Sequence, residues 1–483
     1  MHSEWTKNTS LHPGATADAL QDVFRRQQVF APTFRATTTA ERLARLQKLR
    51  QALAAHRTDI QQAAAADFGK PAPEVELSEI FPVLHEITHA RRHLGKWMRP
   101  VSVRPTLAML GTKAQIRYEP KGVCLIISPW NYPFNLTFGP LVSAIAAGNT
   151  VIIKPSELTP HCSRLIRQIV EELYPAEEVA VFEGDAEVAR MLLELPFNHI
   201  FFTGNPAIGR IVMRAAAEHL SSVTLELGGK SPAIVDESAD LDSTVHNLVW
   251  GKFTNAGHTC IAPDHVYVHE RIREAFIGKT VEHIRRVFGR DEQTQRENHD
   301  YCRIVNERHF QRLCGLLADA TRRGAKIVTG GATHAEDRYI APTVLTGVPA
   351  DAAMMQEEIF GPLLPVLPFA DLDAVVRAIG ARPKPLALYV FGRDRGRIEK
   401  VLGSTSAGGS CINHSVVQFL HGNLPFGGIN NSGLGNAHGF FGFRAFSHER
   451  AVLADRFSIT HWLYPPYTPW VKSLIRLTSR FFA

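Results

Sequence analysis

KGVCLIISPWNYPFNLTFGPLVSAIAAGNTVIIK, residues 121–154, holds two short apolar runs, VCLII (123–127) and TVIIK (150–154), separated by a helical pattern over 137–147. Neither run alternates apolar with polar residues, so each must be covered on both faces. Two such strands joined by a helix make a parallel pair. The rhythm continues outward with a helical stretch at 159–174, then VAVF (179–182), HIFFT (199–203), a helical stretch at 206–219 and VTLEL (223–227). The expected fold class is therefore α/β, beginning with a doubly wound, Rossmann-like parallel sheet. Ligands of such sheets bind outside the carboxyl ends of the strands.

A second α/β set follows Ser231, with SPAIV, HVYVH, AKIVTG and ALYVFG as its strand candidates. Before the first sheet, residues 15–66 and about 74–98 have helical spacing. A Gly-rich stretch at 422–442 reads as a long structured loop. The 483 residues exceed one core, at roughly 100–200 residues per domain. We expect a cofactor-binding domain over 1–225, a catalytic domain over 226–442, a bridging strand region over 443–463 and a separate tail over 464–483.

Composition narrows the classes further. With 45% hydrophobic and 21% charged residues the chain is neither disordered nor fibrous. Six scattered cysteines read as reduced thiols. No secretory signal is visible, and no run of about 18 apolar residues could span a bilayer. The expected location is the cytoplasm.

Two motifs mislead. HEITH (85–89), with His93 beyond it, matches a zinc-protease pattern. On a helix, however, Ile80, Leu84, Ile87, Leu94 and Met98 form the apolar stripe and the histidines take the opposite face. No metal site is expected. GGKS (228–231) resembles the end of a phosphate loop, but the required first glycine would fall on Thr224.

Other motifs carry chemistry. In FTGNPAIG (202–209), Gly204 permits a tight turn, Asn205 can cap a helix, Pro206 suits its first turn and Gly209 allows close packing. Such a helix N-terminus can hold a pyrophosphate. KPSE places Lys154 and Glu157 at a strand's carboxyl edge, where they could grip ribose hydroxyls. Cys260, in NAGHTCIAPD, is the nucleophile candidate. An ordinary thiol is only a few per cent ionised near neutrality, so it needs local help. Glu226 ends an apolar strand before two glycines, where burial would raise it toward a general base. Asn131 supplies an amide donor suited to an oxyanion.

PWNYP (129–133), AAGN-x-V-x-x-KPSE (146–157), FTG-x-x-x-x-G (202–209), ELGGKSP (225–231), N-x-G-x-x-C (255–260) and EEIFGP (357–362) occur in that order. The set resembles the aldehyde dehydrogenase superfamily. NLPFGG-x-x-x-SG-x-G-x-x-HG (423–439) and FSH (446–448) resemble its class 3 branch, which includes fatty and aromatic enzymes such as bacterial coniferyl aldehyde dehydrogenases. The resemblance implies that Cys260 attacks the aldehyde, Asn131 and the Cys260 backbone N–H hold the oxyanion, and Glu226 activates water against the thioester. It implies that Lys154 and Glu157 hold the adenosine ribose and that Gly204 and Gly209 shape the pyrophosphate turn. Glu358 and Phe360 would place the nicotinamide ribose and ring. It also implies a homodimer built by bridging pieces near 101–119 and 443–455.

Two positions depart from the pattern: His258 stands where the family has Gln, and Asn205 where it has Ser. NAD is favoured because Glu157 would repel a 2′-phosphate, and NADP stays open. A cysteine esterase without redox chemistry and a non-catalytic binding protein remain as alternatives, and fatty and aromatic aldehydes stand level.

The net charge of +6 is uneven. Arg91, Arg92, Lys96, Arg99 and Arg104 cluster without an acid, and so do Lys472, Arg476 and Arg480 in the tail. Nothing in this pattern suggests nucleic acid. On a tail helix the three cations would face away from Trp470, Leu474, Leu477 and Phe481. Such a helix could pack on the body or on a partner subunit, or lie peripherally on a membrane.

Overall fold

The computed structural model describes residues 16–106, 109–457 and 460–482, with the side chains of residues 481 and 482 outside that description. The expected helical start is three helices, Ala17–Arg35, Thr39–Ala55 and Arg57–Phe68. Thr38 opens the second of them with a reciprocal capping box to Glu41. The stretch expected to be one helix from about 74 to 98 is broken. It runs as Ala72–Val75, a π-turn at Glu76–Ile80 and Phe81–Trp97.

The first sheet has six strands in the order Gly433–Leu434, Ser222–Leu227, His199–Gly204, Val123–Ile127, Thr150–Lys154 and Val179–Val181. All pairs are parallel except the first, which is antiparallel. The strands Val123–Ile127 and Thr150–Lys154 are buried at every residue, as their unbroken apolar runs require. The helix between them, Asn135–Ala147, is apolar all round and wholly interior but for Leu136. The short strand Gly433–Leu434 shows that the Gly-rich stretch returns from the second sheet to close the edge of the first.

The second sheet has seven strands in the order Lys326–Thr329, Thr343–Thr346, Leu363–Phe369, His265–His269, Pro232–Val235, Ala387–Phe391 and Gly409–Ile412. Only its outermost pair, Lys326–Thr329 with Thr343–Thr346, is antiparallel. A third, antiparallel sheet joins Val101–Val103, Thr112–Pro120 and Ser447–Asp455. Its strand Ser447–Asp455 is exposed along most of its nine residues.

On the helix Phe81–Trp97 the interior face is Val83, Ile87, Ala90, Leu94 and Trp97. His85 is exposed, His93 stacks on Trp97, and the His89 ring lies tilted against both. Among the described residues no group of three or more His, Cys, Asp or Glu could hold a metal ion. No described helix is long and apolar enough to cross a membrane.

The tail forms the helix Pro469–Phe482. Its inward face differs from the expected one: Val471 is buried while Trp470 and Leu477 stay exposed. The side chain of Phe481 lies outside the described residues. The helix packs on its own preceding segment with Val471 buried and Leu474 and Ile475 partly so, while Trp470 faces solvent.

Candidate active site

Cys260 sits in the turn between the helix Leu241–Phe253 and the strand His265–His269. The chain reaches it through Asn255, Ala256 and Gly257, three successive residues with φ of 55°, 48° and 77°. A left-handed run of this kind is costly for Asn and Ala and persists only where its surroundings fix it. The Gly361 carbonyl lies where a Gly257 side chain would be, so this position requires glycine. Tyr389 secures the far side of the turn: its hydroxyl donates to the Ile261 carbonyl and accepts from the Val416 N–H at 3.3 Å.

Asn131 is buried, and its Nδ2 donates to the His258 carbonyl at 2.9 Å. Asn255 Nδ2 donates to the Asn131 backbone carbonyl at 2.8 Å and to the same His258 carbonyl at 3.3 Å. Tyr132 Oη and Thr259 Oγ1 are 2.5 Å apart. The PWNYP turn and the cysteine turn are thus tied at three points. An amide nitrogen has two hydrogens, and the His258 carbonyl takes one from Asn131, leaving the other for a ligand.

Glu226 occupies the strand Ser222–Leu227 beside Thr203 on one side and Gly433 on the other. It is 5% exposed and neither carboxyl oxygen has a hydrogen-bond partner. Burial alone pushes its pKa well above the usual carboxylate range. Burial likewise lifts Glu358 to about 8. Its carboxylate rests against the backbone of Gly228, where any side chain would collide with it. Burial, with the charges of Glu358 and Glu226, pushes the Cys260 thiol far up, against the opposing backbone N–H groups of Cys260 and Ile261.

The EEIFGP turn is held from outside. Lys230 Nζ donates to Asp264 Oδ1 at 2.5 Å, to the Met354 carbonyl at 2.6 Å and to the Glu357 carbonyl at 2.8 Å. The lysine of GGKS is therefore a tie between loops. Asp264 Oδ2 in turn accepts from the Ile359 N–H at 2.8 Å, and Arg312 donates to the Ile359 carbonyl at 2.6 Å. Phe360 follows with φ 47° and meets Trp130 edge-on, ring centres 5.4 Å apart.

His258 is fully buried between Trp130 and Phe360, and neither ring nitrogen has a partner. Burial drives its pKa well below the ordinary value, so it is neutral.

At the edge of the first sheet, Lys154 is buried and pairs with Glu157 at 2.5 Å. Asn205 caps the helix Pro206–Glu218 by accepting from the Ile208 N–H at 2.9 Å. Gly209 N–H donates to the Asn205 carbonyl at 3.0 Å. The helix start is therefore less open than the sequence implies, with Ala207 keeping a free N–H once Pro206 is discounted. Gly209 packs so closely on Leu227 that a side chain there would strike it. The residues fit a dinucleotide at this edge. Besides the helix start, the buried hydroxyl of Thr203 and the carboxyl of Glu226 stand side by side with no protein partner.

Sequence reasoning missed Asp264, Arg312 and the buried Lys252, whose ammonium burial pushes down to about 8. Lys230 and Asp264 lie inside quoted motifs, and an ionisable residue flanked by apolar strands was the available signal. Arg312 had none, since it looks like one more cation on an amphipathic helix.

A thiol, an amide donor and two buried carboxyls come together between the doubly wound sheet and the second α/β layer, a set suited to nucleophilic catalysis. The chain belongs to the aldehyde dehydrogenase family, whose model matches residues 6–452, and the family uses NAD(P). It is 41% identical over 449 residues to the 4,4'-diaponeurosporen-aldehyde dehydrogenase of Staphylococcus aureus, covering 93% of this chain and 96% of that one. It is 42% identical over 428 residues to aldehyde dehydrogenase family 3 member A2 of Pongo abelii, covering 88% and 87%. Among solved structures, the substrate-bound state of Staphylococcus aureus AldH superposes with a TM-score of 0.91 at 40% identity, over 96% of this chain and 99% of that one. The class 3 resemblance read from the motifs is borne out.

Proposed function

We propose that this aldehyde dehydrogenase converts an apolar, long-chain or aromatic aldehyde to its acid through a thioester on Cys260. The observation that carries the site assignment is the convergence of Cys260, the Asn131 amide tied to the His258 carbonyl and the unpartnered Glu226 carboxyl. Cys260 Sγ attacks the aldehyde carbon, its proton passing to a neighbouring carboxylate. The oxyanion takes the free Asn131 amide hydrogen and the Cys260 backbone N–H. Such a donor is worth about 3–4 kcal/mol in the transition state. Bound at the sheet edge, the nicotinamide supplies the acceptor for the substrate's hydride. Lys154, Glu157, Gly204, Asn205 and Gly209 hold its adenosine and pyrophosphate end, and Glu358 with Phe360 its nicotinamide end. Glu226 then takes a proton from the water that opens the thioester.

The substrate class rests on the relatives' names, which include a 4,4'-diaponeurosporen-aldehyde dehydrogenase and coniferyl aldehyde dehydrogenases. Rates of nicotinamide reduction with decanal, benzaldehyde and coniferaldehyde test it. No reduction of NAD or NADP with any of them would refute the reading.

NAD is the preferred cofactor in this reading, because Glu157 sits beside Lys154 where a 2′-phosphate would lie. Removing one charge at close range in partly screened surroundings is worth on the order of 1 kcal/mol. Glu157→Gln should therefore raise kcat/KM for NADP relative to NAD by roughly five- to tenfold. An unchanged ratio would show that Glu157 does not face the ribose.

The homodimer reading is supported by the open, exposed strand Ser447–Asp455, an edge that invites pairing with a second copy. Peripheral membrane contact through the tail is supported only by exposed Trp470 and Leu477 beside Lys472, Arg476 and Arg480. Sedimentation velocity tests the first. Co-sedimentation of the full chain and of a 1–464 truncation with anionic liposomes tests the second.

A further inference from the structure

Behind the cysteine turn lies a charged cluster that the reaction as described does not use. Lys70 and Glu79 are fully buried and pair at 2.8 Å. Glu79 Oε2 also accepts from the backbone N–H groups of Phe134 and Asn135, at 3.2 and 3.0 Å. It thereby closes the start of the helix that follows PWNYP. Lys70 Nζ lies 4.1 Å from the centre of the Tyr132 ring, the same tyrosine that touches Thr259. Glu74, between the two on the chain, points the other way. Its carboxylate faces the Asn255 backbone N–H, and its Oε1 lies 3.7 Å from Cys302 Sγ, which is 3.8 Å from Asn255 Oδ1.

The π-turn Glu76–Ile80 sets this divergence. It changes the helical period between Glu74 and Glu79, so that Glu79 reaches the PWNYP turn and Glu74 the N-x-G-x-x-C turn. A wholly apolar cluster would cost less to bury. Asn255 is the residue that must be held, because its φ of 55° is strained and its amide carries both the Asn131 and His258 carbonyls.

We propose that Glu74 is a positioning residue for aldehyde oxidation, the arm by which the buried Lys70–Glu79 pair fixes the Asn255 bend and, through it, the Asn131 amide. The inference rests on the reading of Cys260 as nucleophile and Asn131 as oxyanion donor. Misplacing reacting groups by about 1 Å can cost up to 10²-fold. Glu74→Ala should lower kcat on the order of tenfold or more, with KM for aldehyde and for NAD each within roughly twofold. Ester hydrolysis by Cys260, which needs the same oxyanion donors but no cofactor, should fall by the same factor. Glu74→Gln keeps a carbonyl oxygen facing the Asn255 N–H and the Cys302 thiol, and should recover kcat to within about threefold of the parent.

The rates are normalised to the number of reactive Cys260 thiols, so that misfolded protein does not count as slow enzyme. A normalised kcat within twofold of the parent in Glu74→Ala overturns the proposal. So does a loss confined to KM, a loss in oxidation alone, or a Gln variant as slow as the Ala variant. Should Cys260→Ala retain turnover, the nucleophile assignment fails first, whatever Glu74 does.

Discussion

Cys260→Ala is expected to abolish aldehyde oxidation and ester hydrolysis together, by on the order of 10⁴-fold or more, since removing a nucleophile removes the covalent route itself. The magnitude follows from where the thiol sits. Burial and two neighbouring carboxyls keep it protonated, so it is unreactive until a base accepts its proton with the aldehyde in place. The same environment makes a bypass by direct water attack slow, since water would need that base and would form no thioester. The remaining thiols offer no substitute. Cys124, Cys162 and Cys302 are inside the protein, Cys314 lies on the helix Glu307–Arg322 and Cys411 on the edge strand Gly409–Ile412. The check is kcat for both reactions with cofactor binding measured separately, for instance by quenching of protein fluorescence. Unchanged cofactor affinity with no turnover is the expected pair of results. Retained turnover would place the nucleophile elsewhere.

Much of this was legible in the chain. Unbroken apolar runs such as VCLII and TVIIK carry their own evidence of two-sided burial, and their spacing leaves room for one helix, so the first sheet follows almost strand by strand. The strands Leu363–Phe369 and Gly409–Ile412 were not foreseen, because Pro365 and Pro368 interrupt the first and the second is only partly buried. The return of Gly433–Leu434 to the first sheet has no local signature at all. It pairs with residues some two hundred positions away and sets Gly433 beside the buried Glu226. The site shows the same division. Cys260, Glu226 and Asn131 stand out as reactive types in unusual local settings. Lys70, Glu79 and Glu74 do not, because charged residues spaced every few positions read as a wet face. The π-turn at Glu76–Ile80 carries Glu79 to the interior.

Glu226→Gln is expected to separate the two halves of the reaction. The substitution keeps the side chain's shape and removes its ability to accept a proton. Attack and hydride loss need a proton acceptor for the thiol, and both Glu358 and Glu226 sense that thiol. Glu358, lifted to about 8, is ionised in part of the population near neutrality and increasingly so above it. Glu226 is lifted by burial with no partner to oppose it, so its proton leaves only when a charge-stabilising ligand or water enters beside it. Opening the thioester needs a base beside the incoming water, and a positioned general base contributes typically 10²–10⁴-fold. Rapid mixing of Glu226→Gln with NAD and aldehyde should give a burst near one reduced nicotinamide per Cys260, followed by a steady rate on the order of 10³-fold below the parent. The acyl group should remain on Cys260 and be detectable by mass after quenching in acid. Raising the pH should quicken the burst through the ionisation of Glu358 while leaving the slow phase limited by the missing base. If instead Glu358→Gln gives the burst with a stalled second phase and Glu226→Gln turns over normally, the two carboxyls exchange roles. Loss of the burst itself in Glu226→Gln would mean that this carboxyl, and not Glu358, takes the thiol's proton.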